Sequence, residues 1–170
     1  MSEHYAYREI ARGSDRGDAW AAFHAAGGIG WYDDVDVLIE RGAAPGRAMV
    51  ATARPASTEP LQRGGVFALR RFELHRPDDW DEFLNLSVEA WPEFEKTNDA
   101  RIEGLFRFVG VGDGSGAADE ALLVTRYPSL AVWESSRTTI NPSTASGRNF
   151  LRRRELTRRS VVRIAGSFWD

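Results

Sequence analysis

Residues 66–91 read VFALRRFELHRPDDWDEFLNLSVEAW, and this stretch decides the fold. Its first part mixes apolar and polar side chains as a half-buried strand does, so we expect a strand over residues 66–74. Pro77, followed by two acidic residues, is typical of the first turn of a helix. Large apolar side chains then recur at helical spacing and form one stripe: Trp80, Phe83, Leu84, Val88 and Trp91. The stretch therefore predicts a strand followed directly by an amphipathic helix.

The residues that follow complete a larger unit. Strands are predicted over residues 101–111, 121–127 and 160–169. Ser129 is placed to cap a helix after the second of these strands, and a basic helix follows around residues 149–159. The resulting order β-α-β-β-α-(α)-β is the split βαβ pattern. It predicts an α+β protein with a ferredoxin-like βαββαβ fold.

The first sixty residues carry a weaker version of this pattern. Strands are predicted over residues 5–10, 35–40 and 47–54. A short helix is predicted over residues 18–26, because Trp20 and Phe23 fall on one of its faces. Short segments of the two halves share local sequence, which indicates a degenerate repeat unless chance similarity explains it. The chain is therefore divided into an N-terminal βαββ-like partial repeat, residues 1–60, and a ferredoxin-like domain, residues 61–170.

Residues 122–134 read LLVTRYPSLAVWE. This run resembles the strand-to-helix signature of NIPSNAP-like proteins, in which an aromatic-Pro-Ser-Leu turn leads into a helix bearing Trp-Glu. The strand over residues 66–74 and the helix bearing Trp80 are similar in order and spacing, so the resemblance covers about residues 64–169. It implies a dimeric α/β barrel, in which two four-stranded sheets meet, usually from two subunits. It also implies a homodimer with a pocket between the sheet and the helices of each subunit.

The wider group that this family belongs to includes cofactor-free monooxygenases, isomerases, dehalogenases and haem-binding enzymes, so the fold leaves the reaction open. The resemblance implies an enzyme of aromatic or natural-product metabolism that acts on a small hydrophobic or aromatic substrate. A cofactor-independent monooxygenase, isomerase or cyclase is expected. The alternatives are a non-catalytic small-molecule-binding or interaction protein, and a haem-dependent enzyme of the same fold.

The composition excludes several classes of function. The chain of 170 residues has no cysteine, which excludes disulfides, thiolate catalysis and cysteine-based metal sites. Its net charge of -3 gives no reason to expect nucleic acid or an anionic membrane as a partner. The N-terminus lacks the basic and apolar regions of a signal peptide, and no window is apolar enough to span a membrane. A cytoplasmic location is therefore expected.

Strand alternation gives three of the predicted strands one charged face each. If these faces align, one side of a sheet carries Arg71, Glu73, His75, Glu103, Arg107 and Arg163. In a pocket, His75 beside Glu73 suits proton abstraction from a phenol or carbon acid, and the arginines would stabilise the resulting oxyanion. The alternative is that these residues pair with one another or point to water. The predicted catalytic residues are His75, Glu73, Arg71 and Arg107.

Four further residues are predicted to bind the substrate: Trp91, Trp133, Tyr127 and Arg163. Tryptophan rings stack on aromatic ligands, although a tryptophan on an apolar stripe also suits the protein core. The sequence therefore leaves open whether the two tryptophans line a pocket or fill the core.

Haem binding rests on one residue, because His24 is the only histidine in a predicted helix and imidazole is a usual haem ligand. Trp20, Phe23 and Trp31 lie near it in the sequence. The glycine-rich run over residues 27–30 would leave such a ligand on a flexible edge, whereas ligands are held best on rigid elements. We therefore expect no cofactor and no bound metal.

Overall fold

Within the described residues, eight strands close into one antiparallel barrel. The structure is a computed structural model that describes residues 3–11, 14–15, 17–25, 35–56, 59–61, 64–110, 117–138 and 140–167. The strands are β1 His4–Ile10, β2 Ala21–Ala25, β3 Val35–Arg41, β4 Arg47–Ala51, β5 Val66–Leu74, β6 Arg101–Val109, β7 Ala117–Tyr127 and β8 Thr157–Ser167. The helices are α1 Trp80–Asn98, preceded by the 3₁₀ turn Pro77–Asp79, then α2 Leu130–Ser136 and α3 Ala145–Glu155.

The ferredoxin-like unit predicted from the sequence is confirmed. The second half of the chain runs β5, α1, β6, β7, α2, α3, β8. Ser129 caps α2 as predicted, since its hydroxyl oxygen accepts the N–H of Val132 at 3.3 Å. β8 begins at Thr157, so the last residues of the predicted basic helix belong to this strand. The predicted strand ends at Val111 and Trp169 lie outside the described residues.

The helix predicted over residues 18–26 is wrong, because this segment contains the strand β2. Ala21, Phe23 and Ala25 are fully buried in the barrel core, and His24 lies on the opposite face. The strand pairs with β3 on one side and with β8 on the other. These non-local hydrogen bonds outweigh the local spacing of apolar side chains that favoured a helix.

Both halves of the chain have the same strand order. The sheet of the first half runs β4-β1-β3-β2, and the sheet of the second half runs β8-β5-β7-β6. The first half is thus a four-stranded sheet rather than a βαββ unit, and no helix joins its strands within the described residues. The division of the chain into two domains at residue 60 stays a prediction.

The barrel closes within one chain. β2 pairs with β8 and β4 pairs with β6, so each edge of one sheet meets an edge of the other. The resemblance implies two sheets that usually come from two subunits, whereas here both sheets come from one chain. Since closure needs no second subunit, the homodimer stays a prediction.

The sheet of the second half has two faces with different neighbours. One face lines the barrel interior, which is rich in buried aromatic rings: Tyr5, Trp20, Phe23, Phe67, Phe106 and Phe108. The other face packs against the helices, where Phe72 on β5 meets Phe83 on α1 with ring centroids 5.1 Å apart. Because strand residues alternate, Arg70 and Arg71 of β5 point to opposite faces.

Candidate functional site

A cavity of about 820 Å³ lies between this sheet and the three helices. Its volume falls within the roughly 300–1,000 Å³ that small-molecule sites occupy. Three of the four predicted substrate-binding residues line it, namely Trp91, Tyr127 and Trp133. We call this space the sheet–helix cavity.

Aromatic rings form much of the cavity wall. The ring of Phe94 meets Tyr127 edge-on at 6.4 Å between centroids, and Phe150 at 5.5 Å. Trp133 is buried on α2, and the guanidinium of Arg137 lies 5.0 Å from its ring centroid. Rings packed edge-to-face in this way hold one another in place and leave apolar surface for a flat ligand.

Tyr127 brings a phenol to the cavity from the end of β7. Burial raises the pKa of Tyr127, while its hydrogen bond with Ser136 and the charge of Arg70 act in the opposite direction. The phenol therefore stays protonated at neutral pH. In that form it can donate a hydrogen bond to a ligand oxygen.

Arg153 on α3 is a buried cation, with 8% of its surface exposed. Its guanidinium carbon lies 4.8 Å from the ring centroid of Phe150, 5.0 Å from Phe72 and 5.4 Å from Phe83. One Nη donates to the hydroxyl of Ser87 at 3.1 Å. Burial, followed by the charge of Arg70, lowers the pKa of Arg153 to about 9. The group is therefore still charged at neutral pH.

Arg70 enters the same cavity from β5. It donates an Nη hydrogen to the hydroxyl of Ser160 at 3.1 Å. Burial lowers the pKa of Arg70; the nearby charge of Arg137 acts in the same direction, and Tyr127 opposes it. Among the residues that the structure describes, no carboxylate forms an ion pair with Arg70 or Arg153.

The charged residues of the cavity lining are almost all cationic. Six arginines line it: Arg70, Arg137, Arg153, Arg154, Arg158 and Arg159. Glu93 is the one carboxylate among the described lining residues, and it already accepts the backbone N–H of Ser146 at 3.0 Å. Arg158 and Arg159 are ion-paired with Glu73, so the cavity combines apolar rings with the remaining four arginines.

Two predicted catalytic residues lie on the opposite face of the sheet, in the barrel interior. Arg71 donates to Glu120 at 2.8 Å, and Arg47 donates to the same carboxylate oxygen at 2.8 Å. Glu73 is bonded to Arg158 at 3.4 Å and to Arg159 at 3.5 Å. Both residues are therefore ion-paired, although with partners outside the six charged residues that were expected to share one side.

The expectation that the six charged residues share one side is wrong for Arg107. Its guanidinium lies 4.6 Å from the ring centroid of Trp80 and donates to the carbonyl of Pro77 at 3.1 Å, which puts it on the helix side. On β6 the apolar residues Phe106 and Phe108 face the interior instead. His75 is exposed just after β5. None of the four predicted catalytic residues lines the sheet–helix cavity.

Arg163 is the predicted substrate-binding residue that the sheet separates from the cavity. It is 2% exposed in the barrel interior, where it lies 4.0 Å from Glu9. Glu9 accepts the phenol hydrogen of Tyr7 at 2.6 Å. Burial, the hydrogen bond to Glu9 and the charge of Glu9 raise the pKa of Tyr7. We call Tyr7, Glu9, Arg47, Arg71, Glu120 and Arg163 the ionic cluster of the barrel.

A second groove of about 570 Å³ runs beside Trp20 and Glu103. Its charges are largely matched, because Arg54 forms a bidentate ion pair with Glu95. Within the described part of the chain, no group of three or more histidine, aspartate or glutamate side chains is placed to hold a metal. None of the described helices is long and apolar enough to cross a lipid bilayer.

The described residues do not fit haem. His24 lies on β2, and its Nδ1 is 3.1 Å from the buried carboxylate of Asp36. No described histidine lines the cavity or the second groove. Tyr127 is the one lining residue of a usual haem-ligand type, and its raised pKa disfavours the phenolate that would bind iron. Trp31 and residues 27–30, which entered the haem argument, lie outside the described residues.

Comparisons with known proteins support the fold. No protein-family model matches the chain, and no curated protein matches it. An anthrone oxidase-like protein has a TM-score of 0.61 and 9% identity over 98% of this chain and 90% of that chain. A ferredoxin fold protein from Listeria monocytogenes, described as related to antibiotic biosynthesis monooxygenases, has a TM-score of 0.56 and 10% identity over 98% and 96%.

A heme-degrading enzyme from Listeria monocytogenes has a TM-score of 0.55 and 9% identity, over 94% of this chain and 97% of that chain. At these identities the likeness concerns the fold alone. The chain therefore has the ferredoxin-like α+β fold of monooxygenase-like proteins, and its chemistry has to be argued from its own residues.

The sequence argument missed Arg70 and Arg153. Alternation puts Arg70 on the same face of β5 as the apolar residues Ala68 and Phe72. Arg153 stands inside the basic run 152–154, and such a run usually indicates a solvated helix face. The aromatic residue Phe150, three positions before Arg153, was the available signal, because residues at that spacing share a helix face.

Proposed function

We propose that the chain is an enzyme that oxidises an aromatic small molecule with molecular oxygen in the sheet–helix cavity. The observation that carries this proposal is a cavity of ligand size with aromatic walls, several arginines and one buried guanidinium, that of Arg153. The names of two similar structures, an anthrone oxidase-like protein and a relative of antibiotic biosynthesis monooxygenases, support this reaction class.

The oxidation of anthrone illustrates the chemistry. The central methylene carbon loses a proton, and the resulting anion passes its electrons to O₂. One oxygen atom becomes the new carbonyl and the other leaves as water, so that one anthrone and one O₂ give one anthraquinone and one water. Guanidinium groups beside the substrate favour this reaction, because they stabilise the anion that has to form.

The substrate anion is itself the reductant of oxygen, so the proposal includes no nucleotide cofactor. The resemblance of residues 122–134 to NIPSNAP-like proteins supports the same broad group, and a cytoplasmic enzyme of aromatic or natural-product metabolism is the setting we propose. The proton lost from the substrate passes to solvent water, since no histidine lines the cavity among the described residues. The catalytic roles of His75, Glu73, Arg71 and Arg107 stay predictions.

A second candidate is a non-catalytic protein that binds the same class of molecule. It is favoured by one observation: no histidine, the commonest general base, lines the cavity among the described residues. An isomerase or cyclase would likewise need such a base. The two candidates differ in whether oxygen is consumed.

Oxygen uptake with anthrone as the probe tests the proposal. We expect uptake above the buffer rate, with anthraquinone formed in equal amount. Trp133→Ala removes one cavity wall and should lower the rate by about tenfold, because the substrate is held less firmly. The control is Leu130→Ala, an exposed position on the same helix. Quenching of tryptophan fluorescence by anthrone without oxygen uptake would contradict the oxidase and support the non-catalytic binding protein.

A further inference from the structure

We propose that the natural ligand of the sheet–helix cavity carries a carboxylate or another oxyanion, which Arg153 and Arg70 bind while the aromatic walls hold its rings. This inference rests on the proposed function for the choice of site. It adds a substrate class and two residues that select for it.

Arg153 carries a buried charge that the described residues do not neutralise. A guanidinium that is removed from water and left without a counter-ion is energetically unfavourable. Its contacts with the rings of Phe72, Phe83 and Phe150 recover part of this cost. A buried cation in these surroundings has a strong preference for an anion.

The donor groups of Arg153 also leave room for a ligand. A guanidinium has five N–H donors, and the hydrogen bond to Ser87 uses one of them. The side chain lines the cavity, so the remaining donors are available to a ligand that enters it. Two parallel hydrogen bonds to a carboxylate are the geometry that arginine favours.

Arg70 is a second cation that lines the same cavity as Arg153. Both side chains line the cavity, and the charge of Arg70 acts with burial to lower the pKa of Arg153. An anion bound between them would replace this repulsion by two attractions. The other charges in the lining do not supply one, since its single described carboxylate, Glu93, lies exposed and is bonded to Ser146.

The aromatic walls complete the description of the ligand. Trp133, Phe94 and Phe150 offer apolar faces within the same cavity. A fused-ring carboxylate of two or three rings satisfies both sets of groups, whereas a neutral polycycle leaves the arginines unmatched. The ligand class is therefore an aromatic oxyanion.

Two fluorescent probes of nearly the same shape test this inference. Anilinonaphthalene sulfonate carries an anionic group, and phenylnaphthylamine has the same ring system without it. Both are titrated into the full chain, into Arg153→Met and into Arg70→Met. We expect Arg153→Met to weaken sulfonate binding by about tenfold or more, since a charged hydrogen bond is lost, and to leave phenylnaphthylamine binding unchanged. Arg70→Met should weaken sulfonate binding several-fold.

The control is Arg148→Met, which removes an exposed arginine of α3 that does not line the cavity. It should bind both probes as the unmodified chain does. Competition by naphthoate, but not by naphthylmethanol, should reproduce the preference with a carboxylate. Circular dichroism establishes that each variant is folded, and Arg70→Met gives a second reading if Arg153→Met does not fold.

The outcomes separate this inference from the proposed function. Equal loss of both probes in Arg153→Met, or sulfonate binding that neither arginine variant weakens, would overturn the selection for an oxyanion. Either result leaves oxygen uptake with the neutral substrate anthrone unaffected as a test of the proposed function. Conversely, selective sulfonate binding without any oxygen uptake would support the oxyanion site and contradict the proposed oxidase activity.

Discussion

Arg70 and Arg71 are neighbours on β5, yet they face opposite sides of one sheet and meet different surroundings. Arg71 points into the barrel and shares the carboxylate of Glu120 with Arg47, at 2.8 Å for each. Arg70 points into the sheet–helix cavity, which Arg153 also lines, and donates a hydrogen bond to the hydroxyl of Ser160. Arg71 is thus paired with a carboxylate, whereas no described carboxylate forms an ion pair with Arg70.

On this account, the ion-paired charges stabilise the fold, whereas the charges without a carboxylate partner bind a ligand. The folded protein loses stability when one member of an ion-paired group is removed, because the remaining partners are left without a counter-ion. Removing a cation that has no carboxylate partner changes the stability of the fold little, but it weakens the binding of an anion. Substitutions on the two faces should therefore change different properties.

The largest effect is expected for Glu120→Gln. It leaves Arg47 and Arg71 without their shared carboxylate, which should lower the free energy of unfolding by about 2 kcal/mol, less than for a fully buried pair because all three groups are partly exposed. Urea denaturation measures this change. Glu134→Gln, at an exposed carboxylate of α2, is the control and should have no effect. An unchanged urea midpoint in Glu120→Gln would mean that the cluster is not structural.

The two neighbouring arginines give the sharpest comparison. Arg71→Met should lower the free energy of unfolding by about 1 kcal/mol, since Glu120 keeps Arg47, and should leave sulfonate-probe binding unchanged. Arg70→Met should do the reverse, with the stability kept and the probe bound more weakly. The same pair of urea and fluorescence titrations is run on both variants. If both substitutions changed stability alone, the distinction between the two faces would fail.

The stability that Glu120 provides should depend on pH. Burial alone would raise its pKa, but hydrogen bonds from Arg47 and Arg71 outweigh this and hold the pKa of Glu120 below its ordinary value of 4.5. A lowered folded pKa means that the contribution is complete above the unfolded value and is lost as pH falls through the folded one. The stability difference between the unmodified chain and Glu120→Gln should therefore be constant near neutral pH and shrink below 4.5.

Urea titrations across the acidic range measure this difference. A difference that grows on acidification would show that the carboxylate is not held in its charged form by the two arginines. Glu134→Gln again serves as the comparison, since it should not alter the pH dependence.

The smallest effect is expected for His75→Ala combined with Arg107→Ala. Neither residue lines the cavity, so the rate of anthrone oxidation should stay within about twofold of the unmodified rate, below a difference of about 0.5 kcal/mol. Oxygen uptake measures it, and circular dichroism controls for folding because Arg107 packs on Trp80. Loss of turnover in the folded double variant would instead support the catalytic roles that the sequence predicts for His75 and Arg107.

The fold of the second half was predictable because its signals are local. Residues 66–91 carry a strand pattern, a helix start and a helical stripe in sequence order, and the structure contains β5 and α1 there. In the segment 18–26 the local spacing of apolar residues favours a helix, whereas the pairing with other strands favours a strand. Its conformation is decided by pairing with β3 and β8, which no local pattern records.

The site was less predictable, because alternation assigns residues to faces but does not say which face borders a cavity. The face of β5 with more charge is the one that the sequence favours as functional, but in the structure Arg71 is paired with Glu120 and Glu73 with Arg158. Arg153 stands in a basic run that suggests solvent. Its burial arises from the packing of α3 on α1, a contact between elements far apart in sequence.

A crystal structure of the chain with anilinonaphthalene sulfonate bound tests the central claim most directly. The account predicts that the rings lie in the sheet–helix cavity against Trp133. It also predicts that the sulfonate lies within hydrogen-bond distance of Arg153, with Arg70 on its other side. A probe found in the second groove, in the barrel interior or on the surface, with the cavity empty, would contradict the account.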